Sequence, residues 1–250
     1  MIPRKFLILT AALLLTSLAA PARKLPSEAL GSVSYEVRYK WGALDAKAAT
    51  ATISLEAAKR DGQDAYHSRA LIRPTSVFKL FISHDYIADT WLNRSDLKPA
   101  YFINPFKKGG KDGKFEITYR RSGIDAVSVK PPKETEEKKS FPQDGRTMDL
   151  LSLLHCIRFL DMTPASRPMK FHLLMGGASY PAELSCQGED KERFPDRRAE
   201  RFLLRMTERG LMENGSGNEI LLWRSTGADR RLLGLEVPLS TGSMIVKVKE

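Results

Sequence analysis

The dominant pattern along the chain is an alternation of apolar and polar residues. Tyr35, Val37, Tyr39 and Trp41 alternate with polar residues, which is the period of a β-strand with one apolar face. Similar patterns predict strands at residues 34–41, 49–56, 65–72, 86–92, 100–103, 115–120, 126–130, 169–175, 179–186, 219–224, 230–237 and 243–249. Short turns separate most of these strands, which favours antiparallel meanders and a mainly β fold.

One segment has the period of a helix instead. Thr147 is a suitable N-cap, and Asp149 lies in the first turn, where the helix dipole favours an acidic side chain. The apolar positions that follow the i, i+3, i+4, i+7 spacing are Leu150, Leu153, Leu154, Ile157 and Leu160. We therefore predict a helix at residues 147–160 that packs across the sheet. One or two helical turns are expected at 75–81, and a mobile loop at 130–145, which is rich in proline and charge.

The N-terminus has the pattern of a secretory signal peptide. Arg4 and Lys5 precede an apolar run from 6 to 18, and Ala20 and Ala22 are the small residues that a signal peptidase reads. We predict cleavage after Ala22, which leaves residues 23–250 as a single β-rich domain in the periplasm. A membrane anchor is the alternative, but the run is shorter than the roughly 20 residues that span a bilayer. No later stretch has the length and apolarity of a membrane span.

The chain that remains after cleavage is basic. Without the signal peptide the chain has 38 Lys/Arg and 30 Asp/Glu, a net charge of +8. In the periplasm this basic surface serves solubility or contacts anionic lipid head groups, and nucleic acid is excluded as a partner.

An oxidising compartment permits a disulfide between Cys156 and Cys186. Two separate buried thiols are the alternative.

Several segments resemble, in order, a family of exported bacterial proteins known as domain of unknown function 3108. These segments are Tyr35 to Gly42, Asp85-Tyr86, Asp96 to Pro99, Gly109-Gly110, Thr147 to Arg158, Glu219 to Ser225, Arg231 to Pro238 and Gly242-Ser243. The resemblance favours a strand over a helix at residues 202–206. It implies an architecture similar to the half-open barrels of periplasmic lipoprotein carriers, which hold acyl chains or peptides between a curved sheet and helices. It implies no established activity.

The sequence holds no arrangement that identifies an enzyme. His67, His84, His155 and His172 lack the spacing of a zinc site, and there is no nucleophile elbow, P-loop or dinucleotide fingerprint. Gly215-Ser216-Gly217 is interpreted as a hairpin turn. We therefore expect no catalytic residues, no metal and no cofactor.

These observations predict a strongly curved antiparallel sheet or half-barrel with one packed helix. A curved sheet under a helix forms an apolar concavity, whose candidate lining residues are Tyr35, Val37, Tyr39, Leu150, Leu154 and Ile157. The same residues form a closed core if the sheet closes tightly. The function expected first is non-enzymatic binding of an apolar or amphiphilic envelope ligand, such as a lipid or lipoprotein. An interaction with another envelope protein, without a small ligand, is the alternative, and a hydrolase is third.

Overall fold

The computed structural model describes residues 25–76, 78–80, 84–132, 135–206 and 218–249. The predicted signal peptide and the predicted turn at 215–217 lie outside these residues. The strands are β1 Gly31–Trp41, β2 Leu44–Arg60, β3 Gln63–Pro74, β4 Tyr86–Asn93, β5 Pro99–Lys108, β6 Lys111–Arg120, β7 Gly123–Lys130, β8 Thr135–Phe141, β9 Thr147–Asp149, β10 Met169–Met175, β11 Ala178–Glu189, β12 Ala199–Met206, β13 Glu219–Ser225, β14 Leu232–Pro238 and β15 Ser243–Val248. The one α-helix of this part of the chain, α1, is Leu150–Phe159, and 3-10 turns occupy Ser27–Ala29 and Phe78–Leu80.

All strands join in one sheet that is built from two meanders. The strand order is β8-β7-β6-β5-β4-β3-β2-β1-β15-β14-β13-β12-β11-β10-β9. The first and last strands pair with each other, with Tyr35 opposite Val248, and this antiparallel pairing joins the two meanders. The short strand β9 runs parallel to β10. The sheet is therefore mixed, although antiparallel pairs dominate it as predicted.

The connection between β8 and β9 shows how strongly the sheet is curved. These strands are the two edges of the sheet, yet residues 142–146 alone connect them. A chain of this length reaches about 20 Å. In agreement, β9 also contacts β5 in the other meander. The two edges therefore approach each other at a seam, which confirms the predicted half-barrel.

The helix α1 lies inside the curved sheet and packs against both meanders. Leu153 and Ile157 have no exposed surface, and they belong to one core cluster with Ile117 of β6 and with Leu184 and Phe202 of the second meander. Alternation explains this arrangement, since every second residue of a strand faces the interior. The core is therefore shared between the two halves of the sheet. No helix of the described residues has the length and apolarity that a membrane crossing requires.

The start of the helix and the preceding segment differ from the sequence prediction. Asp149, and not Thr147, is the N-cap, and its side chain accepts a hydrogen bond of 2.8 Å from the backbone N–H of Ser152. Thr147 is part of β9. The predicted loop at 130–145 contains β8, so that expectation was wrong for residues 135–141. Of the predicted helical segment at 75–81, the turn Phe78–Leu80 is present, while 77 and 81 lie outside the described residues.

Successive antiparallel strands give the sheet two distinct ends. We call the end with the β1–β2, β5–β6 and β10–β11 turns the apical end, and the opposite end the basal end. The helix begins at the apical end, because β9 runs parallel to β10, and it continues toward the basal end.

Candidate functional site

The six predicted cavity residues do not line one cavity. Tyr35 and Val37 are buried against alanines of β2, in a cluster that also contains the partly buried Tyr39. Leu154 and Ile157 belong to the main core, whereas Leu150 is 41% exposed. Most of the predicted set is therefore closed core, the other outcome that the sequence allowed.

The two tyrosines of β1 act as fixed parts of the framework. The hydroxyl of Tyr35 donates a hydrogen bond of 3.0 Å to the carbonyl of Leu232, and Tyr39 donates one of 2.9 Å to the carbonyl of Thr241. Burial raises the pKa of Tyr35 to about 12. Both side chains thus connect β1 to β14 or to the turn that follows it.

The two cysteines are free thiols in the structure, so the predicted disulfide is absent. Cys186 is buried in the core on β11, and Cys156 lies on α1. Of the alternative, two separate buried thiols, the separation is confirmed, but only Cys186 is buried.

An open apolar cavity of about 260 Å³ lies at the apical end, between the start of α1 and both meanders. We call it the apical cavity. Seven of its eleven lining residues are large and apolar: Tyr86, Phe102, Phe106, Phe115, Leu150, Leu174 and Met175. Leu150 is the predicted lining residue that the structure places here. The other apolar residues except Phe106 come from strands that the sequence predicted but did not assign to a cavity. Phe106 lies beyond the predicted strand at 100–103, because β5 continues to Lys108.

Local sequence explains the aromatic wall of the apical cavity. Phe102 and Phe106 are four residues apart on β5, so they lie on the same face of the strand. Phe106 pairs across the sheet with Gly113 of β6. A Cβ atom at Gly113 would lie 2.5 Å from the Phe106 ring, so glycine is required for the ring to cover β6. Phe106 also borders a second concavity of about 540 Å³. This ring therefore separates two neighbouring spaces.

Tyr86 has the properties of a side chain that faces into a concavity. It is 41% exposed, yet burial by the surrounding protein raises the pKa of its hydroxyl, and the negative charge of Asp149 adds to this effect. Lys130, whose ammonium lies 3.6 Å from a carboxylate oxygen of Glu137, also lines the cavity. The cavity therefore combines apolar walls with one cationic group.

Another cavity, of about 270 Å³, lies beside α1 at the opposite end, and we call it the basal cavity. Its helix wall consists of Ser152, Cys156 and Phe159, which share one face of α1. Its other lining residues include the exposed bases Lys98, Arg146 and Lys170, which come from three different segments. The basal cavity is therefore more basic than the apical cavity.

A buried hydrogen-bond cluster lies at the start of the helix. The carboxylate of Asp149 accepts hydrogen bonds from the hydroxyls of Ser152, Thr90 and Tyr119. Burial raises the pKa of Asp149, because the charged form loses its contact with water. Ser152 and Tyr119 also line the basal cavity, so this cluster forms part of the cavity wall. Its role is to fix the helix within the sheet.

Within the described part of the chain, Ser68 and His155 form a contact that resembles a nucleophile and its base. The distance from His155 Nε2 to Ser68 Oγ is 2.7 Å. Their exposed fractions are 0% and 2%, and His155 Nδ1 faces the guanidinium of Arg158 at 3.4 Å instead of a carboxylate. Burial and the charge of Arg158 lower the pKa of His155 to about 3. This pair is therefore a neutral contact within the core.

No group of three His, Cys, Asp or Glu side chains with the arrangement of a metal site occurs in the described part of the chain. The structure thus offers the apical cavity, the basal cavity, the larger concavity beside Phe106 and a buried polar cluster as its candidate features.

Comparison with known proteins identifies a solved structure with a similar fold and a matching family. A solved structure described as a beta-barrel-like protein of domain of unknown function DUF1849 from Brucella abortus superimposes with a TM-score of 0.53 at 10% sequence identity, and the match covers 88% of this chain and 95% of that chain. At this identity the likeness shows the fold alone. A search among curated proteins finds no match. Residues 34–248 match the family described as "Protein of unknown function (DUF3108)". The chain therefore belongs to the DUF3108 family.

Proposed function

We propose that this protein is exported to the periplasm and binds an apolar or amphiphilic ligand of the cell envelope without chemically changing it. The observation that carries the proposal is the apical cavity, which holds seven large apolar side chains and remains open. A largely apolar concavity with a few polar groups is the usual form of a ligand site.

The size and exposure of the apical cavity restrict its ligand. Its volume of about 260 Å³ is just below the ~300–1,000 Å³ that is usual for small-molecule sites. It therefore suits one narrow apolar chain better than a bulky ring system. Leu150 is 41% exposed, so covering the rest of its side chain is favourable by roughly 1 kcal/mol, a part of the ~1.5–3 kcal/mol that full burial of a leucine provides. The accessible ring of Tyr86 adds to this gain.

Lys130 supplies the polar end of the proposed ligand site. Its side chain is 58% exposed, and its ion pair with Glu137 is a surface pair, which stabilises by no more than about 1 kcal/mol. An anionic head group at the mouth can therefore replace Glu137 at little cost. An amphiphile with one acyl chain and a carboxylate or phosphate group fits this arrangement.

Native mass spectrometry of residues 23–250, purified from the periplasm under mild conditions, tests the proposal. We expect extra mass that denaturation releases and that extraction identifies as an amphiphile. Leu150→Asp should lower the retained mass, and should weaken binding of a fluorescent dodecanoate probe about tenfold. Asp is tolerated at this position, because it lies at the N-terminus of α1.

Leu44→Asp is the matched control, because Leu44 is 49% exposed but lies outside the cavity. It should leave probe binding unchanged. The proposal fails if the wild-type chain carries no extra mass and binds no probe, or if Leu150→Asp binds the probe as tightly as wild type. That result would favour the alternative, an envelope interaction protein without a small ligand.

A further inference from the structure

The exposed large apolar side chains of the described residues all lie at one end of the molecule. They are Trp41, Leu44, Tyr86 and Leu150. Strand β1 ends at Trp41 and β2 begins at Leu44, while Tyr86 begins β4 and Leu150 follows β9. Since neighbouring strands are antiparallel and β9 is parallel to β10, each of these positions is apical. The apical end is therefore the apolar end.

Trp41 and Leu44 form a separate tip that no cavity explains. They pair with each other across the β1–β2 turn and are 58% and 49% exposed. Tyr86 and Leu150, in contrast, line the apical cavity. The tip thus presents an indole and an isobutyl group to solvent at the end of a hairpin.

The tip is held in place by the neighbouring β14–β15 turn. A Cβ atom at Gly242 would lie 2.0 Å from the carbonyl oxygen of Lys40, so this turn packs directly on the end of β1. The hydrogen bond from Tyr39 to Thr241 fastens the same contact. Because the hairpin is braced in this way, burial of its tip against a partner requires little further ordering of the backbone.

The charge at the apical end is positive. Among the described residues of its turns and adjoining strand ends, the basic residues are Lys40, Arg73, Lys79, Lys107, Lys111, Lys130 and Arg205, and the acidic residues are Asp45, Asp85, Asp112, Glu136 and Glu219. Lys40, directly before Trp41, is 48% exposed, and Lys107 is 66% exposed. A surface that combines an apolar tip with surplus lysine is complementary to an anionic lipid bilayer.

We propose that the apical end docks on an anionic membrane surface, with Trp41 and Leu44 inserted at the level of the head groups. Tryptophan favours this depth because its ring is apolar and its N–H remains hydrogen-bonded. The lysines contact lipid phosphates. The inserted tip lies outside the ligand site, although both include Lys130 at their border, and the mouth of the apical cavity faces the lipid when the protein is bound.

Trp41 is a built-in reporter for this interaction. The chain contains three tryptophans: Trp91 is stacked on His67 with ring centroids 4.4 Å apart, and Trp223 is 4% exposed. With vesicles of phosphatidylcholine and about 30% phosphatidylglycerol, we expect the emission of residues 23–250 to shift to the blue and to be quenched by brominated acyl chains. About 0.5 M NaCl should reduce the effect, because salt screens the lysines.

Sedimentation with the same vesicles tests the residues. Trp41→Ser combined with Leu44→Ser should weaken binding at least about tenfold. Trp41→Phe keeps the apolar bulk, so it should still sediment but lose the blue shift. The same double variant should bind the dodecanoate probe like wild type, because neither residue lines the apical cavity, and this result separates the proposal from the ligand site.

The proposal is overturned if the wild-type chain does not bind anionic vesicles at low salt, or if the Trp41→Ser, Leu44→Ser variant sediments like wild type. Quenching by brominated lipid in the unmodified chain reports insertion without any variant. Absence of that quenching also overturns it, whatever the variants do.

Discussion

Burial controls the charge of His155 at the centre of the molecule. Its pKa of about 3 in the folded protein lies below the ~6.5 of an unfolded chain. Between these values the unfolded state binds a proton that the folded state does not. Burial of neutral His155 therefore has no pH-dependent cost above pH 6.5. As the pH falls from 6.5 toward 3, the free energy of unfolding decreases by up to about 5 kcal/mol.

We predict that His155→Gln removes this part of the acid sensitivity. Glutamine retains a hydrogen-bonding group for Ser68 but does not titrate. Urea unfolding between pH 7 and pH 4 should give a flatter dependence of the free energy of unfolding than wild type. Leu44→Gln, which replaces a 49% exposed side chain without adding or removing a titratable group, is the control and should retain the wild-type slope. An unchanged slope in His155→Gln would contradict the assigned cause.

The sequence indicates some of the buried polar residues, because they occupy strand positions where the alternation would place an apolar residue. Ser68 lies between Tyr66 and Ala70, and Thr90 between Ala88 and Leu92, so both hydroxyls occupy positions that face the interior. A polar residue in the apolar phase of a strand indicates a buried hydrogen bond. Its partner was not predictable, because Ser152 and His155 meet these strands only after the helix packs.

Among the elements, the edges of the sheet were the hardest to predict. Strand β8 is mostly exposed and carries two glutamates followed by two lysines instead of alternating apolar and polar residues. Such charges are typical of an edge strand that must not pair with another chain. Strand β9 has three residues, too few for a period to be recognised. The internal strands were predictable because each has one buried face.

The C-terminus of α1 is capped by a strand residue, and this contact supports a prediction. Arg224 of β13 donates hydrogen bonds of 2.7 Å to the carbonyls of Ile157 and Leu160, and it pairs with Glu200. Its side chain is 4% exposed. Arg224→Met should therefore lower the free energy of unfolding by about 3 kcal/mol, because buried carbonyls and a carboxylate lose their partner.

The matched control for this prediction is Arg205→Met on the neighbouring strand β12. Arg205 also pairs with a glutamate, Glu219, but its side chain is 54% exposed. Its loss should cost less than about 1 kcal/mol. Chemical denaturation of both variants at pH 7 measures the difference, and equal losses would show that the cap at Arg224 does not stabilise the helix.

At the scale of the whole molecule, the alternation of residues was sufficient to predict the fold class. The pairing of β1 with β15 and the approach of β8 to β9 depend on contacts between distant parts of the chain, which local periodicity does not encode. The candidate site was predicted only through Leu150. Which apolar residues remain accessible depends on how far the curved sheet closes around α1.

The shared core predicts that residues 23–250 unfold as one unit. Helix α1 contacts β4 of the first meander and β10 of the second, and one cluster joins residues of both. Trp91 and Trp223 report on the two meanders separately. In Trp41→Phe backgrounds, Trp91→Phe and Trp223→Phe each leave one reporter. In each variant, the urea transition followed by fluorescence should coincide with that followed by far-ultraviolet circular dichroism. If one meander is an independent domain, its reporter will instead complete its transition while much of the dichroism signal remains, because the other half of the sheet stays folded.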